Sequence, residues 1–468
     1  MNPIQRSSFF KNTPRVLHGN NDELLDDGQK IWLAAGGIAV SHNDFQQEVK
    51  DYLKKYPATR YIDIYLHDIN GNVRGKRVTR DALASLGSGC YFPLSVYAMD
   101  SDGGVVNFSE AAGMSEEPDC LCLPVKGSLR PCAREPEHHA QLLLTMKQTD
   151  GSPCQLEPRA ILSRILGLLH ARDIYPVIAA EMEFYLTSVR QGAHHSGGFH
   201  LDMPQQHQRF IDALEQLSRS QHLEVTGLVA EAESDQFELN LAHSDEVVKV
   251  CDNVLTLRRM TRLLAEKQAL KASFMAKPFS AQAGSGMHFH VSLNDARGHN
   301  LFCSPTNAPN LTLRRSLAGL LTLMPASMTI VAPHVNSFRR LRKSLTEALF
   351  NDWGYNTRNA ALRIPCSSDA SRRIEYRLAG ADANPYLVVA VILLGVLYGL
   401  DNDSAEAPPA AQSSLPLFPL QAMQQFRQCE YLTAGLGEAF SQLWLACRSR
   451  ELAQFERQVT PLEYDIGQ

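Results

Sequence analysis

The sequence predicts an α+β protein, with a small sheet-rich unit followed by a large mixed one. Three observations carry this expectation. Between residue 56 and about residue 145, short alternating runs are separated by turn residues. The clearest is Tyr61-Ile62-Asp63-Ile64-Tyr65-Leu66, followed by the turn Asp68-Ile69-Asn70-Gly71-Asn72 and a return strand at Val73 to Val78. From Glu157 onward, helical and strand patterns alternate to the C-terminus, beginning with Ile161, Leu162, Ile165, Leu166 and Leu169 on one side of a helix. The longest apolar run, Tyr386 to Leu400, is short for a bilayer and is ended by Asp401 and Asp403, so it reads as a buried core helix.

The 468 residues suffice for two or more domains. They divide into an extension at 1–55, a sheet-rich domain at 56–147 and a large domain at 148–468, with a turn-rich joint at Gln148 to Pro153. Within the extension a short helix is expected near Gln29 to Ala35, and a longer one from Asp44 to Lys55, before Pro57. Further strands are expected at Tyr91 to Met99 and Cys120 to Val125, and a surface loop at the Ala/Pro-rich Ser404 to Gln412. No internal repeat is present.

Composition excludes several classes of function. A net charge of -5 with no basic run points away from nucleic acid and from a membrane surface. The ten cysteines are scattered, and Cys120 with Cys122 is too small a set for a zinc site, so a reduced, cytoplasmic setting is expected. The stretch Met1 to Leu17 lacks the apolar core of a secretory peptide.

The chemistry centres on Ala283-Gly284-Ser285-Gly286-Met287-His288-Phe289-His290-Val291-Ser292-Leu293. Small residues open it, and then Phe289, Val291 and Leu293 alternate with His288, His290 and Ser292. A strand there would carry two imidazoles and a hydroxyl on one face. The same design recurs. Ala180-Glu181-Met182-Glu183-Phe184 puts two carboxylates on one face, where they repel unless a cation compensates or water solvates them. Glu231 and Glu238 flank the turn Ser234-Asp235-Gln236, which could fold them toward each other. Arg373-Ile374-Glu375-Tyr376-Arg377 alternates again, readable as a salt-bridge ladder or as part of a site. Five glutamates and a histidine on sheet surfaces suit hard cations, Mg²⁺ or Mn²⁺. Arg340, Arg358, Arg363, Arg373 and Arg377 suit phosphate and carboxylate oxygens. The residues alone thus reach a metal-dependent enzyme of nucleotides and carboxylates.

From about residue 55 onward these residues resemble the glutamine synthetases. The Gly-Ser-Gly-Met-His-x-His-x-Ser run, the Glu-x-Glu-Phe strand, Asn336-Ser337-Phe338-Arg339-Arg340-Leu341, Arg372 to Arg377 and Ala383-Asn384-Pro385-Tyr386-Leu387 match in order. The resemblance implies an N-terminal β-grasp domain, a catalytic domain, a site shared between neighbouring subunits, and a dodecamer. It implies one metal on Glu183, Glu231 and Glu238 and a second on Glu181, His288 and Glu375. His290, Ser292, Arg358, Arg363 and Arg373 would lie along ATP, with Gly284, Arg340 and Arg377 on glutamate. ATP would phosphorylate the γ-carboxylate of glutamate, and an amine would then displace the phosphate.

Departures fall on the second step. The family's Val-Pro-Gly-Tyr-Glu-Ala-Pro flap is replaced by Leu341-Arg342-Lys343-Ser344-Leu345-Thr346-Glu347-Ala348-Leu349, with Thr346 in register and Glu347 one residue late. The Pro-Gly of the Glu231 hairpin is Ser234-Asp235, and the asparagine before Gly284 is Ala283. Asp100 is the candidate for the family's ammonium-site aspartate, with Asp119 as a second. Arg340, Arg358, Asp100 and Glu347 form the expected catalytic set. These changes resemble the γ-glutamylpolyamine and γ-glutamylmonoamine synthetases, as does Trp353-Gly354 before Tyr355-Asn356-Thr357-Arg358. The expected activity is therefore ligation of glutamate to an organic amine. Ammonia-using glutamine synthetase and an inactive structural member of the family remain the alternatives.

Overall fold

The computed structural model describes residues 42–106, 117–188, 203–233, 235–304, 308–342, 351–402 and 415–466. The expected helix near Gln29, the loop after Ser404 and Glu347 lie outside them. Two sheets organise the rest. The first contains β1 (Tyr61–His67), β2 (Val73–Thr79), β3 (Cys90–Pro93), β4 (Asp119–Pro124), β5 (Arg130–Pro131) and β6 (His139–Met146), in the order β2-β1-β6-β4-β3 with β5 on β6. The β1–β2 hairpin pairs Tyr61 with Thr79 through to His67 with Val73, in line with the turn residues between them. β1 and β6 run parallel.

One strand expectation needs correction. Tyr91 to Met99 is extended only through Pro93, and Leu94–Tyr97 form a 3₁₀ turn instead. All four of those residues are buried. Burial itself does not prevent a strand, since β6 is buried throughout; β3 ends where Pro93 faces Asp119, the first residue of its partner β4. The helix His42–Lys55 buries Phe45, Val49 and Tyr52 in the core, and Glu48 accepts the backbone N–H groups of Gly127 and Leu129 at 3.1 Å each.

The second sheet contains β7 (Tyr175–Ser188), β8 (Val225–Ala230), β9 (Gln236–Leu241), β10 (Leu270–Ser273), β11 (Met287–Asn294), β12 (Trp353–Tyr355), β13 (Leu362–Ile364) and β14 (Ile374–Tyr376). Its order is β12-β13-β14-β11-β7-β9-β8, with β10 on β7. One face is apolar, and Met182, Phe184, Met287 and Phe289 are fully enclosed there. The helices Pro158–His170 and Val247–Lys267 pack against β7.

The expected core helix is Pro385–Asp401, where proline opens the first turn and the Asn384 side chain accepts the Tyr386 N–H. It packs against Leu311–Val331 backbone to backbone. A Cβ on Gly319 would lie 2.1 Å from the Gly395 carbonyl oxygen, so only glycine permits that approach. Among the described residues no helix is long and apolar enough to cross a membrane.

Candidate active site

The polar face of the second sheet collects the predicted residues by register. β11 runs antiparallel to β7 and β14, setting His288 opposite Glu181 and His290 opposite Glu375. β9 runs antiparallel to β7 and sets Glu238 opposite Glu183. The period of two then places all these side chains on the face away from Met182 and Phe184. Glu231 follows β8 at the mouth of the hairpin, its N–H donating to the Gln236 carbonyl at 2.9 Å.

Two groups of donor atoms form, each lying within 4.8 Å: Glu181, Glu238 and His288, and Glu181, His290 and Glu375. Glu181 bridges them, with Oε1 2.8 Å from His290 Nε2 and Oε2 3.4 Å from His288 Nδ1. This partition differs from the one implied by resemblance, since His290 joins a carboxylate pair as a potential ligand. Glu183 sits beside the groups, accepting the Gly286 N–H at 2.7 Å, with His288 Nε2 3.9 Å away. Carboxylate oxygens with one imidazole each are a donor set that fits Mg²⁺ or Mn²⁺.

The electrostatics match a site built around cations. Burial, then the charges of Glu181, Glu183 and Glu231, push Glu238 up to about 8. Burial and Glu183 raise Glu231 as well. Glu181 is also buried, but hydrogen bonds from His288 and His290 hold it well below the usual carboxylate range. Glu375 is lowered against its burial by Arg377, the two histidines and Arg363.

The arginines divide by role. Arg363 donates to Glu375 Oε2 at 2.6 Å, Arg377 donates to the other oxygen, and Arg373 Nε lies 3.1 Å from His290 Nδ1. Arg340 donates to the Leu378 and Arg377 carbonyls at 3.0 Å each. It packs so closely on Gly284 and Gly286 that a Cβ at either would meet it at 2.6 Å. Arg358 is exposed, and its charge reaches Glu231. A cavity of about 1060 Å³ adjoins the ligand face and is lined by Glu181, His290, Ser292 and Arg373 among others. Its size suits a nucleotide.

Of the expected catalytic residues, Asp100 is not on this face of its own chain. Glu347 is outside the described residues. Asp100 is fully enclosed and paired with Arg450 at 2.9 Å. Gln236, which the sequence reading left unassigned, donates to the Gly284 carbonyl at 2.9 Å and lies 3.4 Å from Glu183. Its place as the first residue of β9, opposite the Glu-x-Glu strand, was the available signal.

Residues 155–466 match the glutamine synthetase catalytic domain. A γ-glutamylputrescine synthetase of Escherichia coli is 42% identical over 90% of this chain and 94% of its own length. The chain belongs to the glutamine synthetase family. A glutamate–isopropylamine ligase of a Pseudomonas species is 26% identical over 80% of this chain and 84% of its own. Among solved structures, ligand-free GmaS superposes with a TM-score of 0.76 at 25% identity, covering 88% of this chain and 97% of that one. The fold is therefore the mixed α+β fold of glutamine synthetases.

Proposed function

We propose that this protein is an ATP-dependent ligase that joins the γ-carboxylate of glutamate to an organic amine through a γ-glutamyl phosphate. The observation that carries this is the pair of donor groups sharing Glu181, set beside a nucleotide-sized cavity. The choice of amine over ammonia rests on similarity to a γ-glutamylputrescine synthetase along nine-tenths of the chain and on the missing Pro-Gly flap.

Glu181, Glu183, Glu231, Glu238, His288 and Glu375 would hold two Mg²⁺ or Mn²⁺ ions, with His290 within reach of the second. Bound metal would neutralise phosphate and carboxylate charge so that the two anions can approach. Arg373, Arg363 and Arg358, with His290 and Ser292, would orient the triphosphate, while Arg340, Arg377 and Gly284 would hold glutamate. Because Arg340 is already fixed by two carbonyls, it meets its anion without reorganising. The loop carrying Asp100 would attract the amine.

The same reading takes residues 56–147 as a β-grasp domain and 148–468 as the catalytic domain. It takes the assembly as a dodecamer with sites shared between neighbours, working in the cytoplasm. Phosphate release with glutamate, ATP and a panel of amines tests the activity. An organic amine should exceed ammonia in kcat/KM by at least about tenfold, or 1.4 kcal/mol. Equal use of ammonia would make the protein a glutamine synthetase, and no glutamate-dependent turnover would make it a structural member of the family.

A further inference from the structure

Arg340 stands in a helix of only seven residues, Val335–Leu341. A helix this short is not stable alone, so its neighbours must set its place and its roll. The Arg340 guanidinium is held by neutral groups, the Leu378 and Arg377 carbonyls, and makes no ion pair among the described residues. Its full charge is therefore free for an anion, provided the helix presents it in one orientation. Asn336 and Ser337 stand one turn before Arg340 and share its side of the helix. Asn336 ties that side to the segment 276–286, which carries Gly284 and Gly286. It accepts the Lys277 N–H at 2.8 Å and donates to the Lys277 carbonyl at 2.9 Å. The Ser337 hydroxyl accepts the His334 N–H at 3.0 Å, closing the first turn, and donates to Asp382 Oδ2 at 2.6 Å.

Asp382 belongs to the third segment around Arg340, residues 377–383, which follows β14 and supplies both carbonyls that hold the guanidinium. This segment is itself pinned to the glycines. The Met287 N–H donates to the Ala379 carbonyl at 2.8 Å, and the Ala381 N–H donates to the Ser285 carbonyl at 3.0 Å. The Asp382 side chain folds back over it so closely that a Cβ on Gly380 would lie 2.3 Å from Oδ1. That oxygen is buried with no hydrogen-bond partner among the described residues. Leaving it unpaired costs stability, and the bond to Ser337 is what the position provides. The Asp382 charge also reaches Arg340 and Arg258, both beyond ion-pair distance, so a purely electrostatic role is the rival account.

We propose that Asp382 and Ser337 are positioning residues for Arg340. The hydrogen bond between them fixes the roll of the helix and so aims the guanidinium at glutamate. This rests on the reading of Arg340 as a glutamate-binding group in a glutamate–amine ligase. The amine panel on the wild type and an R340K variant test that reading separately.

Steady-state kinetics on the full-length chain decide it, with ATP and the best amine saturating and glutamate varied. S337A and D382A should each raise the glutamate KM about tenfold, with kcat within about threefold and the KM for ATP within about twofold. The double variant S337A/D382A should be no worse than either single one, because both remove the same bond. D382N keeps an oxygen for the Ser337 hydroxyl and loses the charge, so it should recover most of the D382A loss. S337A removes a single oxygen atom and carries the test even where D382A fails to fold. An S337A glutamate KM equal to wild type, beside a raised one in R340K, overturns the positioning role. D382N as impaired as D382A overturns it too, because the charge of Asp382 rather than its bond would then act. Equal losses for glutamate and ATP overturn it as a general structural effect. An R340K glutamate KM equal to wild type overturns the reading of Arg340, and the proposal with it.

Discussion

Two clusters of buried charge in this chain are built on opposite rules. At the junction of the two sheets, Asp252 accepts a fork from Arg159 at 3.0 and 3.2 Å, and the Tyr386 hydroxyl donates to it at 2.5 Å. Every charge there has a partner of opposite sign or a donor. On the face of the second sheet, Glu181, Glu183, Glu231 and Glu238 converge with too few cations among them, and Glu238 rises to about 8. In the first arrangement pairing offsets the cost of burial. The second would be relieved by cations, as the proposed ligase requires. Mutual repulsion, rather than charge itself, separates a site from a strut.

The largest effect expected from this contrast is on activity. Glu183→Ala or His288→Ala should lower glutamate-dependent ATP hydrolysis by at least about 100-fold, as measured by phosphate release. Melting of Glu183→Ala in the presence of chelator should be unchanged or slightly higher, because it relieves repulsion, whereas His288→Ala should melt lower because Glu181 loses a donor. Wild-type turnover in either variant would remove these residues from the metal site.

The junction should respond in the other currency. Asp252→Ala leaves Arg159 charged and enclosed and the Tyr386 hydroxyl without its acceptor, so it should cost about 3–5 kcal/mol of stability. Urea unfolding at fixed protein concentration checks this. Whatever fraction remains folded should keep its affinity for ATP. A variant as stable as wild type but without activity would mean that Asp252 belongs to the site.

The two clusters also differ in how far the sequence foretells them. The ligand face was legible because strands have a period of two. Glu181 with Glu183, and His288 with His290, declare a polar face by spacing alone. The turn at Asp68–Asn72 sets the first hairpin, and β8 and β9 pair antiparallel as the second. What spacing cannot supply is contact between distant segments. Glu451 meets Ser101 across 350 positions, and nothing in Cys447-Arg448-Ser449-Arg450-Glu451 distinguishes it from a solvated helix face. Resemblance sets His290 along the nucleotide, and the register opposite Glu375 adds that its ring also lies beside the carboxylates while lining the cavity. The strand expected through Met99 stops at Pro93, where its partner β4 begins at Asp119, a pairing limit that alternation alone does not reveal.

The smallest effect lies in two enclosed groups near the junction that titrate in opposite directions. His67 is deeply buried, and neither ring nitrogen has a hydrogen-bond partner among the described residues. Burial pushes it down to about 3 from 6.5. The unfolded chain takes up this proton first, so the contribution of His67 is complete above pH 6.5 and lost as pH falls toward 3. Glu157 accepts from the Thr145 hydroxyl at 2.9 Å and the Met146 N–H at 3.1 Å, and burial pushes it up to about 7 from 4.5 despite those donors and Arg159. Its contribution is complete below pH 4.5 and lost as pH rises through 7. Between pH 7 and pH 5 each group is worth about 2 kcal/mol, with opposite sign, so in the wild type they nearly cancel. His67→Phe keeps a ring against Tyr65 and Tyr386 and leaves Glu157 unopposed, so this variant should gain stability relative to wild type as pH falls from 7 to 5. Glu157→Gln keeps an acceptor for both donors and leaves His67 unopposed, so it should lose stability over the same interval. Urea unfolding of both variants at pH 5, 6 and 7 and one protein concentration reads the two slopes. Parallel slopes in the two variants would mean that neither group keeps its shifted pKa in the folded protein.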